Sequence, residues 1–313
     1  MAQPSETFDT YDSIGEREDL SDVIYNISPT DTPFLSSAAK TQATAVLHEW
    51  QTDSLASAVT NNAVIEGDEA TADAVTATTR LSNSSQILDK VVTITGTQEA
   101  VDKAGRASEI AYQIAKKAKE LKRDLESSLT SNNAEVTGSA STARQLGGLG
   151  SWVATNDVFG SGGASGSLGN TARTNGTQRA FTEAQLKSVI KSVWNEGGNP
   201  QIIMVGPFNK QKLSGFTGNS TRFDAGADAT LYTSVDVYAS DFGQTQVIPN
   251  RFSRDRDGWV LDMDYWGVAF LRDFTMHELA KTGDTEKRQL LVECTLESRN
   301  EAASGLIADL TTS

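Results

Sequence analysis

The sequence has little of the chemistry that most enzymes and metal sites use. Its 313 residues include one cysteine, Cys294, and two histidines, His48 and His277. A single cysteine excludes both an intrachain disulfide framework and a Cys-based zinc site. Two histidines leave almost no imidazole for metal binding or acid–base catalysis. Cys294 lies in an apolar run, so we interpret it as a buried small hydrophobic residue.

The chain is also short of positive charge and of long apolar runs. It has 27 Lys and Arg against 41 Asp and Glu, a net charge of −14. Proteins that hold DNA through its phosphates are normally basic, so this balance argues against a general nucleic-acid binder. No run approaches the roughly 18 apolar residues of a membrane span. The polar, acidic residues 1–12 have no signal-peptide pattern. We therefore expect a cytoplasmic setting and no membrane partner.

Two clusters could be read as ligand sites, and neither has the required spacing. Four aspartates lie near Gly258, but their spacing does not match a calcium loop. The glycines of residues 159–166 lack both the strand-to-helix context of a dinucleotide fingerprint and the lysine of a P-loop. The four aspartates are Asp255, Asp257, Asp262 and Asp264.

Nothing in the sequence assembles a catalytic set. We predict no catalytic, cofactor-binding or metal-binding residue, and we expect that the protein is not an enzyme. A hydrolase on an α/β domain is disfavoured, because the chain has few histidines and no nucleophile elbow.

Residues 1–33 carry half of the net charge, with eight acids against the single base Arg17. Their apolar residues have no long period, although 19–27 could form a short helix ended by the Ser28-Pro29 step. Such a segment cannot bury enough surface to fold alone. It is therefore either a disordered tail or an arm that folds against another surface, and the punctuated hydrophobic residues favour the arm.

The pattern of residues 46–95 predicts a long two-stranded ribbon, which we call the excursion. Strand-forming runs at 46–53 and 85–95 flank a stretch with hardly any large apolar side chain. An isolated ribbon without a hydrophobic face is marginal in water. The excursion is therefore either a loose insertion or, as we favour, a ribbon that lies on the surface of a neighbour.

Regular periodicity begins after residue 103. Leucines and isoleucines at spacings of four and seven predict an amphipathic helix over 104–131. The following residues, 137–180, are rich in Gly, Ser, Thr and Asn, which predicts a flexible loop and the best boundary inside the fold. We call residues 137–180 the glycine-rich segment.

The rest of the sequence has patterns that predict alternating helices and strands. Thr182 and Gln185 form a capping box ahead of an apolar helical face, and Gly197-Gly198 stop that helix. A strand over 201–206 and a helix over 207–216 follow. Further strands are predicted at 235–238, 245–249, 259–263, 266–271 and 285–296, with a short amphipathic tail over 301–310.

Four sequence segments and the order of elements resemble the major capsid protein of tailed bacteriophages, whose fold recurs in encapsulin shells. The segments are residues 15–22 (GEREDLSD), 27–34 (ISPTDTPF), 48–53 (HEWQTD) and 299–303 (RNEAA). The resemblance spans essentially the whole chain.

This resemblance implies an α+β fold in five parts. They are an N-terminal arm (1–45), an extended β-hairpin loop (46–95), a peripheral domain (96–149) with a spine helix at 104–131, an α/β axial domain (150–245), and peripheral strands with a C-terminal tail (246–313).

The implied function is a shell protein. Copies of the chain would form the hexamers and pentamers of an icosahedral virion capsid, assembled in the host cytoplasm. The capsid would enclose double-stranded DNA without sequence-specific binding. Scaffolding, portal and decoration proteins are the further partners. The alternative is an encapsulin-like compartment that holds protein cargo.

Contacts between copies are expected in the arm, the loop and a basic turn. The three arginines of that turn could instead form a solvated surface, or they could anchor the carboxylates of a partner. The candidate contact residues are Arg17, Leu20, Ile24, Phe34, Trp50, Arg80, Arg251, Arg254 and Arg256.

Two departures from the best-known capsid pattern carry further expectations. Some capsids of this fold crosslink their subunits through a lysine of the extended loop, but no lysine occurs here between Thr41 and Asp89. We therefore predict a non-covalent shell. The chain also reaches its arm almost at once, so we expect either a separate scaffold protein or none.

Overall fold

The computed structural model describes residues 30–70, 72–103, 105–216 and 236–313. The helix expected at 19–27 lies outside these ranges. The α-helices are α1 (Pro33–Ser37), α2 (Gly96–Ala100), α3 (Glu109–Leu129), α4 (Leu149–Trp152), α5 (Glu183–Asn195) and α6 (Pro207–Ser214). Short 3-10 helices occupy Met263–Tyr265 and Glu301–Ala303.

Within these ranges the strands form three separate sheets. They are β1 (Ala39–Gln42), β2 (Leu47–Thr52), β3 (Thr79–Ser84), β4 (Gln86–Thr95), β5 (Asp157–Val158), β6 (Ile202–Val205), β7 (Val237–Ser240), β8 (Gly243–Pro249), β9 (Gly258–Leu261), β10 (Trp266–Leu279), β11 (Thr285–Ser298) and β12 (Gly305–Ile307).

The spine helix, α3, begins five residues later than the sequence pattern suggested. The Ser108 hydroxyl accepts a hydrogen bond from the Ala111 backbone N–H, which caps the helix at that point. Gly105, with φ +75°, keeps the preceding chain out of the helix. The helix buries Leu121, Leu125 and Leu129, the last part of the predicted apolar stripe.

A four-stranded sheet with the order β1-β10-β11-β4 lies against the spine helix. β10 and β11 form a long antiparallel hairpin, and β1 joins β10 in parallel. The prediction ended the first of these strands at residue 271, whereas β10 continues to Leu279. Residues 272–278 are all exposed, so this half of the strand has no buried face to produce alternation.

A six-stranded sheet has the order β5-β12-β9-β6-β8-β7. Helix α5 packs on it with the predicted capping box between Thr182 and Gln185, which the structure confirms. The predicted boundary at residue 246 does not separate the two sheets, because β9 and β12 pair within this one. The predicted amphipathic tail is also different, since 301–310 holds a 3-10 helix and β12.

The hairpin pairing differs from the prediction. β2 pairs with β3, from Leu47 opposite Ser84 to Thr52 opposite Thr79. The run expected to return from the excursion is instead β4, which pairs with β11. Residues 85–95 pack against the rest of the subunit because alternate side chains of β4, such as Val92 and Ile94, are buried there.

The glycine-rich segment is packed, which corrects its interpretation as a flexible loop. Residues 146–153 are eight consecutive buried residues, and Trp152 is fully buried. Gly169 lies so close to the Trp152 ring that a Cβ there would approach it within 2.8 Å. The glycines allow this close approach of the backbone to the indole.

Candidate inter-subunit surfaces

The extended loop, which we define as residues 53–78 between β2 and β3, is exposed along its described length. It carries five acidic residues and no basic residue. A hydrogen bond from the Asp68 N–H to the Ile65 carbonyl closes a turn at its tip, where Gly67 has φ +83°. Five aliphatic side chains are 72–100% exposed: Leu55, Val59, Val64, Ile65 and Val75.

The hairpin that carries this loop is anchored firmly at its base. The indole N–H of Trp50 donates to the Ser298 carbonyl at 2.7 Å. The Trp50 ring lies 5.4 Å from that of Trp152, within the core formed by the spine helix and β11. Trp50, predicted as a contact with a neighbour, therefore packs mainly within its own subunit.

Buried polar side chains on β3 complete the anchor. Asn83 is fully buried, and its amide donates to the carbonyls of Gly147 and Leu296 at 3.1 and 2.8 Å. Its carbonyl accepts from the Gly147 N–H at 2.8 Å. The neighbouring Ser84 hydroxyl donates to Glu135 at 2.6 Å. A buried amide with its bonds satisfied fixes one position of the strand, because slippage would leave those groups unpaired.

Glu297 joins the base of the hairpin to β1. One carboxylate oxygen lies 3.0 Å from the Thr41 hydroxyl and 3.3 Å from Nε2 of His48, while the other accepts from Arg299 at 3.0 Å. The hydrogen bond with His48, followed by those with Arg299 and Thr41, lowers the pKa of Glu297 to about 2 despite its burial.

The first residues of the described chain are held by a buried carboxylate. Glu126 of the spine helix accepts the backbone N–H groups of Phe34 and Leu35, each at 2.8 Å, and the Asn250 amide at 2.7 Å. Burial raises the pKa of Glu126, although these hydrogen bonds oppose the change. Phe34 is 1% exposed, 6.3 Å from the Trp266 ring, so it belongs to the core rather than to an inter-subunit contact.

The basic turn is largely committed within the subunit. Arg256 pairs with Asp309 at 2.6 Å, and Arg254 lies 3.1 Å from Asp257. Both aspartates also pair with Arg173, which is fully buried. Arg254 and Arg256 thus belong to an internal network of three arginines and two aspartates, and their role as anchors for a partner stays a prediction.

The remaining candidate contact residues fall into three groups. Arg251 is exposed. Arg80 is exposed and forms an ion pair with Glu49 across the hairpin. Arg17, Leu20 and Ile24 lie outside the described residues.

Sequence reasoning missed the aliphatic side chains of the extended loop. The sequence does contain a signal, because these side chains lie among acidic and small residues in a segment that has no basic residue to pair with the acids. Arg173 was missed as well, because its aspartate partners are 84 and 136 residues away.

Cys294, the one cysteine of the chain, is not an activated nucleophile. Burial raises the pKa of the Cys294 thiol to about 12, so the thiolate that a nucleophile requires is not formed near neutral pH. Within the described ranges, no group of three or more His, Cys, Asp or Glu side chains could hold a metal ion. No helix there is long and apolar enough to cross a membrane.

Comparison with known proteins identifies the family of the chain. A family model described as the SU10 major capsid protein matches residues 3–311. The major capsid protein of Escherichia phage Phieco32 is 30% identical, with the alignment covering 98% of this chain and 97% of that protein.

Solved structures agree on the fold. The capsid asymmetric unit of Cyanophage A-1(L) matches 97% of this chain and 98% of its own with a TM-score of 0.67 at 12% identity. The SrpI encapsulin of Synechococcus elongatus PCC 7942 matches 96% of this chain and 94% of its own with a TM-score of 0.55 at 12% identity. The encapsulin shares the fold, but the family match and the 30% identical relative are both phage capsid proteins. The chain belongs to the SU10 major capsid protein family.

Proposed function

We propose that copies of this chain assemble into an icosahedral capsid that encloses a double-stranded DNA genome. Non-covalent contacts made by the N-terminal arm and the extended loop hold the copies together. The hexamers and pentamers of the shell form in the host cytoplasm, and the finished shell is part of the virion. Scaffolding, portal and decoration proteins are its further proposed partners.

The exposed aliphatic side chains of the extended loop carry this proposal. Each gains about 1.5–3 kcal/mol when it is fully buried, yet the five are 72–100% exposed in the isolated subunit. A surface formed by another copy would cover them. Around a closed lattice, many such contacts reinforce one another because each one raises the effective concentration for the next.

The experiment is to replace two of these side chains without disturbing the fold. In Leu55→Ser/Ile65→Ser, the subunit should keep its urea midpoint, because neither side chain is buried. Shell formation, followed by velocity sedimentation and negative-stain microscopy, should fall by about tenfold or more in yield. The control Leu55→Met/Ile65→Leu keeps the apolar surface and should assemble as wild type does. Equal assembly of the serine variant would overturn the role of the loop.

The non-covalent character of the contacts between subunits can be tested separately. Because the chain has no lysine between Thr41 and Asp89, the extended loop offers no amine for a crosslink. Mature particles dissolved in denaturant should give one band near 33.5 kDa. A ladder of multimers would contradict this part of the proposal.

Net charge supports enclosure of DNA without tight binding. A net charge of −14 repels phosphates, so packaged DNA could move against the shell wall. Purified subunits should show no strong, salt-sensitive DNA binding in a filter assay. Nuclease-protected DNA inside native particles distinguishes this function from a compartment for protein cargo.

A further inference from the structure

The internal charge network has more arginines than aspartates. Asp257 and Asp309 are fully buried, and both pair with the fully buried Arg173. Arg254 and Arg256 pair with one aspartate each. Three guanidinium groups therefore share two carboxylates, which leaves a net positive charge below the surface. A buried charge without a counter-ion is costly, so such a network favours an additional anion.

Arg179 adds a second positive charge beside the same aspartates. Its backbone N–H donates to the Asp309 carbonyl at 2.7 Å, and its own carbonyl accepts from the Thr311 N–H at 2.9 Å. Its Nε and Nη2 atoms are buried and have no hydrogen-bond partner within the described residues. With Arg179 included, the network has an excess of two positive charges.

The Asp309 carboxylate cannot neutralise this excess, because its acceptor sites are already used. It accepts from the N–H groups of Gly160, at 3.0 Å, and of Gly176. It also pairs with Arg173 at 3.4 Å and with Arg256 at 2.6 Å. A carboxylate has about four acceptor sites, and four donors already occupy them.

The other charged groups nearby do not change this balance. Asp157 of β5 interacts with the charge of Arg173 from beyond ion-pair distance, and burial raises its pKa, which favours the neutral carboxyl. Arg251 and Asp255 of the turn are both exposed and have opposite charges. The buried excess therefore belongs to the four arginines of the network.

Each of these four arginines has a buried N–H group to spare. Among the residues that the structure describes, these groups have no hydrogen-bond partner. Buried donors in native proteins are nearly always bonded, either to protein atoms or to an ordered water or ion. Guanidinium groups match the paired oxygens of an oxyanion. The atoms are Nε of Arg173, Arg179 and Arg256, and Nη1 of Arg254.

One buried acceptor accompanies these donors. Oδ2 of Asp257 lies 3.1 Å from Nη1 of Arg254, yet neither atom forms a hydrogen bond within the described ranges. A ligand that satisfies the network therefore needs several acceptor oxygens, one donor and a charge of about −2. Hydrogen phosphate has all three properties, since a phosphate monoester or ion carries roughly −1.5 to −2 at pH 7. Sulfate and phosphodiesters have no proton to donate, and a carboxylate brings only one charge.

We infer that this arginine network binds hydrogen phosphate, either as the inorganic ion or as a phosphomonoester. The guanidinium groups donate to its oxygens, and its O–H donates to Oδ2 of Asp257. The site opens to solvent at Arg254 and Arg256, whose side chains are 25% and 22% exposed. The inference goes beyond the proposed function, because it concerns a ligand of the single subunit.

A second group of two arginines around a buried carboxylate provides a contrast. Glu293 is 3% exposed and pairs with Arg144 at 2.6 Å and with Arg272 at 2.7 Å. The side chains of these arginines are 27% and 47% exposed, so solvent is available to their remaining N–H groups. That group therefore does not favour a bound anion.

Equilibrium dialysis of the full chain against radiolabelled inorganic phosphate, near neutral pH, tests the inference. We expect a single phosphate per subunit. Sulfate and dimethyl phosphate should bind more weakly by about tenfold or more, because each leaves Oδ2 of Asp257 without a donor. Methyl phosphate distinguishes the two sources: its displacement of the label would show that a phosphomonoester fits, and its failure would restrict the site to the inorganic ion.

Two substitutions locate the site. Arg179→Gln removes a guanidinium group that belongs to none of the ion pairs described above, so the subunit should still fold, while phosphate binding should weaken by about tenfold or more. The matched control Arg251→Gln removes an exposed charge of the same turn and should bind phosphate as wild type does. Asp257→Asn supplies an N–H in place of the acceptor, so the preference for phosphate over sulfate should fall by about tenfold.

Three results would overturn the inference. The first is the absence of stoichiometric phosphate binding, which would mean that water satisfies the buried donors. The second is equal binding of sulfate and phosphate by the wild-type chain. The third is an equal loss of binding in the Arg179 and Arg251 variants, which would indicate a general effect of surface charge. Circular dichroism and urea midpoints in phosphate-free buffer establish that each variant is folded before its binding is compared.

Discussion

The extended loop and the glycine-rich segment have similar compositions and opposite structures. Both are long, polar and rich in small residues, with little regular secondary structure. The extended loop is exposed along its described length, whereas the glycine-rich segment contains eight consecutive buried residues. The difference lies in a few side chains. The glycine-rich segment has Trp152 and Arg173, which are buried, while the loop has neither an aromatic nor a basic residue.

A few buried side chains, which act as anchors, determine whether a polar segment packs against its subunit or stays exposed. Trp152 supplies a large apolar surface, and the glycines around it let the backbone close over the ring. Arg173 connects the segment to Asp257 and to Asp309 near the C-terminus. A segment without such anchors stays exposed in the subunit, and a second copy can cover it.

The largest expected effect is at Arg173. Arg173→Met leaves two fully buried aspartates without this partner, which should lower the free energy of unfolding by about 4 kcal/mol. Urea denaturation of the dissociated subunit measures it. The matched change Arg80→Met removes an exposed ion pair at the base of the loop and should cost less than about 0.5 kcal/mol. If both substitutions lowered the free energy of unfolding equally, the distinction between the two segments would be lost.

Asn83 is expected to come next. Asn83→Ala removes three buried hydrogen bonds, including two with Gly147 of the glycine-rich segment, and should cost about 3 kcal/mol. Asn62→Ala, in the exposed extended loop, should be neutral within about 0.5 kcal/mol in the same denaturation experiment. A cost below about 1 kcal/mol at Asn83 would mean that the base of the hairpin is not fixed by this side chain.

Glycine substitutions sharpen the comparison further. A Cβ at Gly160 would overlap the Thr177 carbonyl oxygen, so Gly160→Ala should destabilise by about 2 kcal/mol through overpacking. At Gly67 of the extended loop nothing lies within 4 Å of the added carbon, and only its φ of +83° is unfavourable. Gly67→Ala should therefore cost about 1 kcal/mol. A larger cost at Gly67 than at Gly160 would contradict the packing described for the two segments.

The smallest effect is the pH dependence that Glu297 contributes. Its pKa is lowered from 4.5 to about 2 in the folded subunit, so it stabilises the fold above pH 4.5 and loses this contribution as the pH falls towards 2. Allowing for solvent screening, the contribution is about 1 kcal/mol. Glu297→Gln should flatten the stability profile between pH 4.5 and 2, measured by urea denaturation. An unchanged slope would show that the contacts with His48 and Arg299 do not stabilise the carboxylate.

Local patterns predicted local structure well. The apolar spacing identified the spine helix, and the pair Thr182 and Gln185 identified the start of α5. These signals act over three or four residues along the chain, where side-chain spacing has a direct physical meaning. The resemblance to tailed-phage capsid proteins predicted the fold class, which the comparisons confirm.

Long-range pairing was beyond the sequence pattern. Asn83 bonds to Leu296, 213 residues away, and nothing local distinguishes this asparagine from Asn62. The return strand was misassigned for a related reason, since β3 and β4 both have strand character, and the contacts that separate them, such as the pairing of β4 with β11, are with residues far along the chain.

Hydrogen exchange in dissociated subunits and in assembled particles tests most directly whether a second copy covers the extended loop. We expect backbone amides of residues 53–78 to exchange rapidly in the subunit and slowly in the particle. Residues 146–153 should be protected in both states. Equally rapid exchange of residues 53–78 in the particle would contradict the assignment of this loop to the contacts between copies.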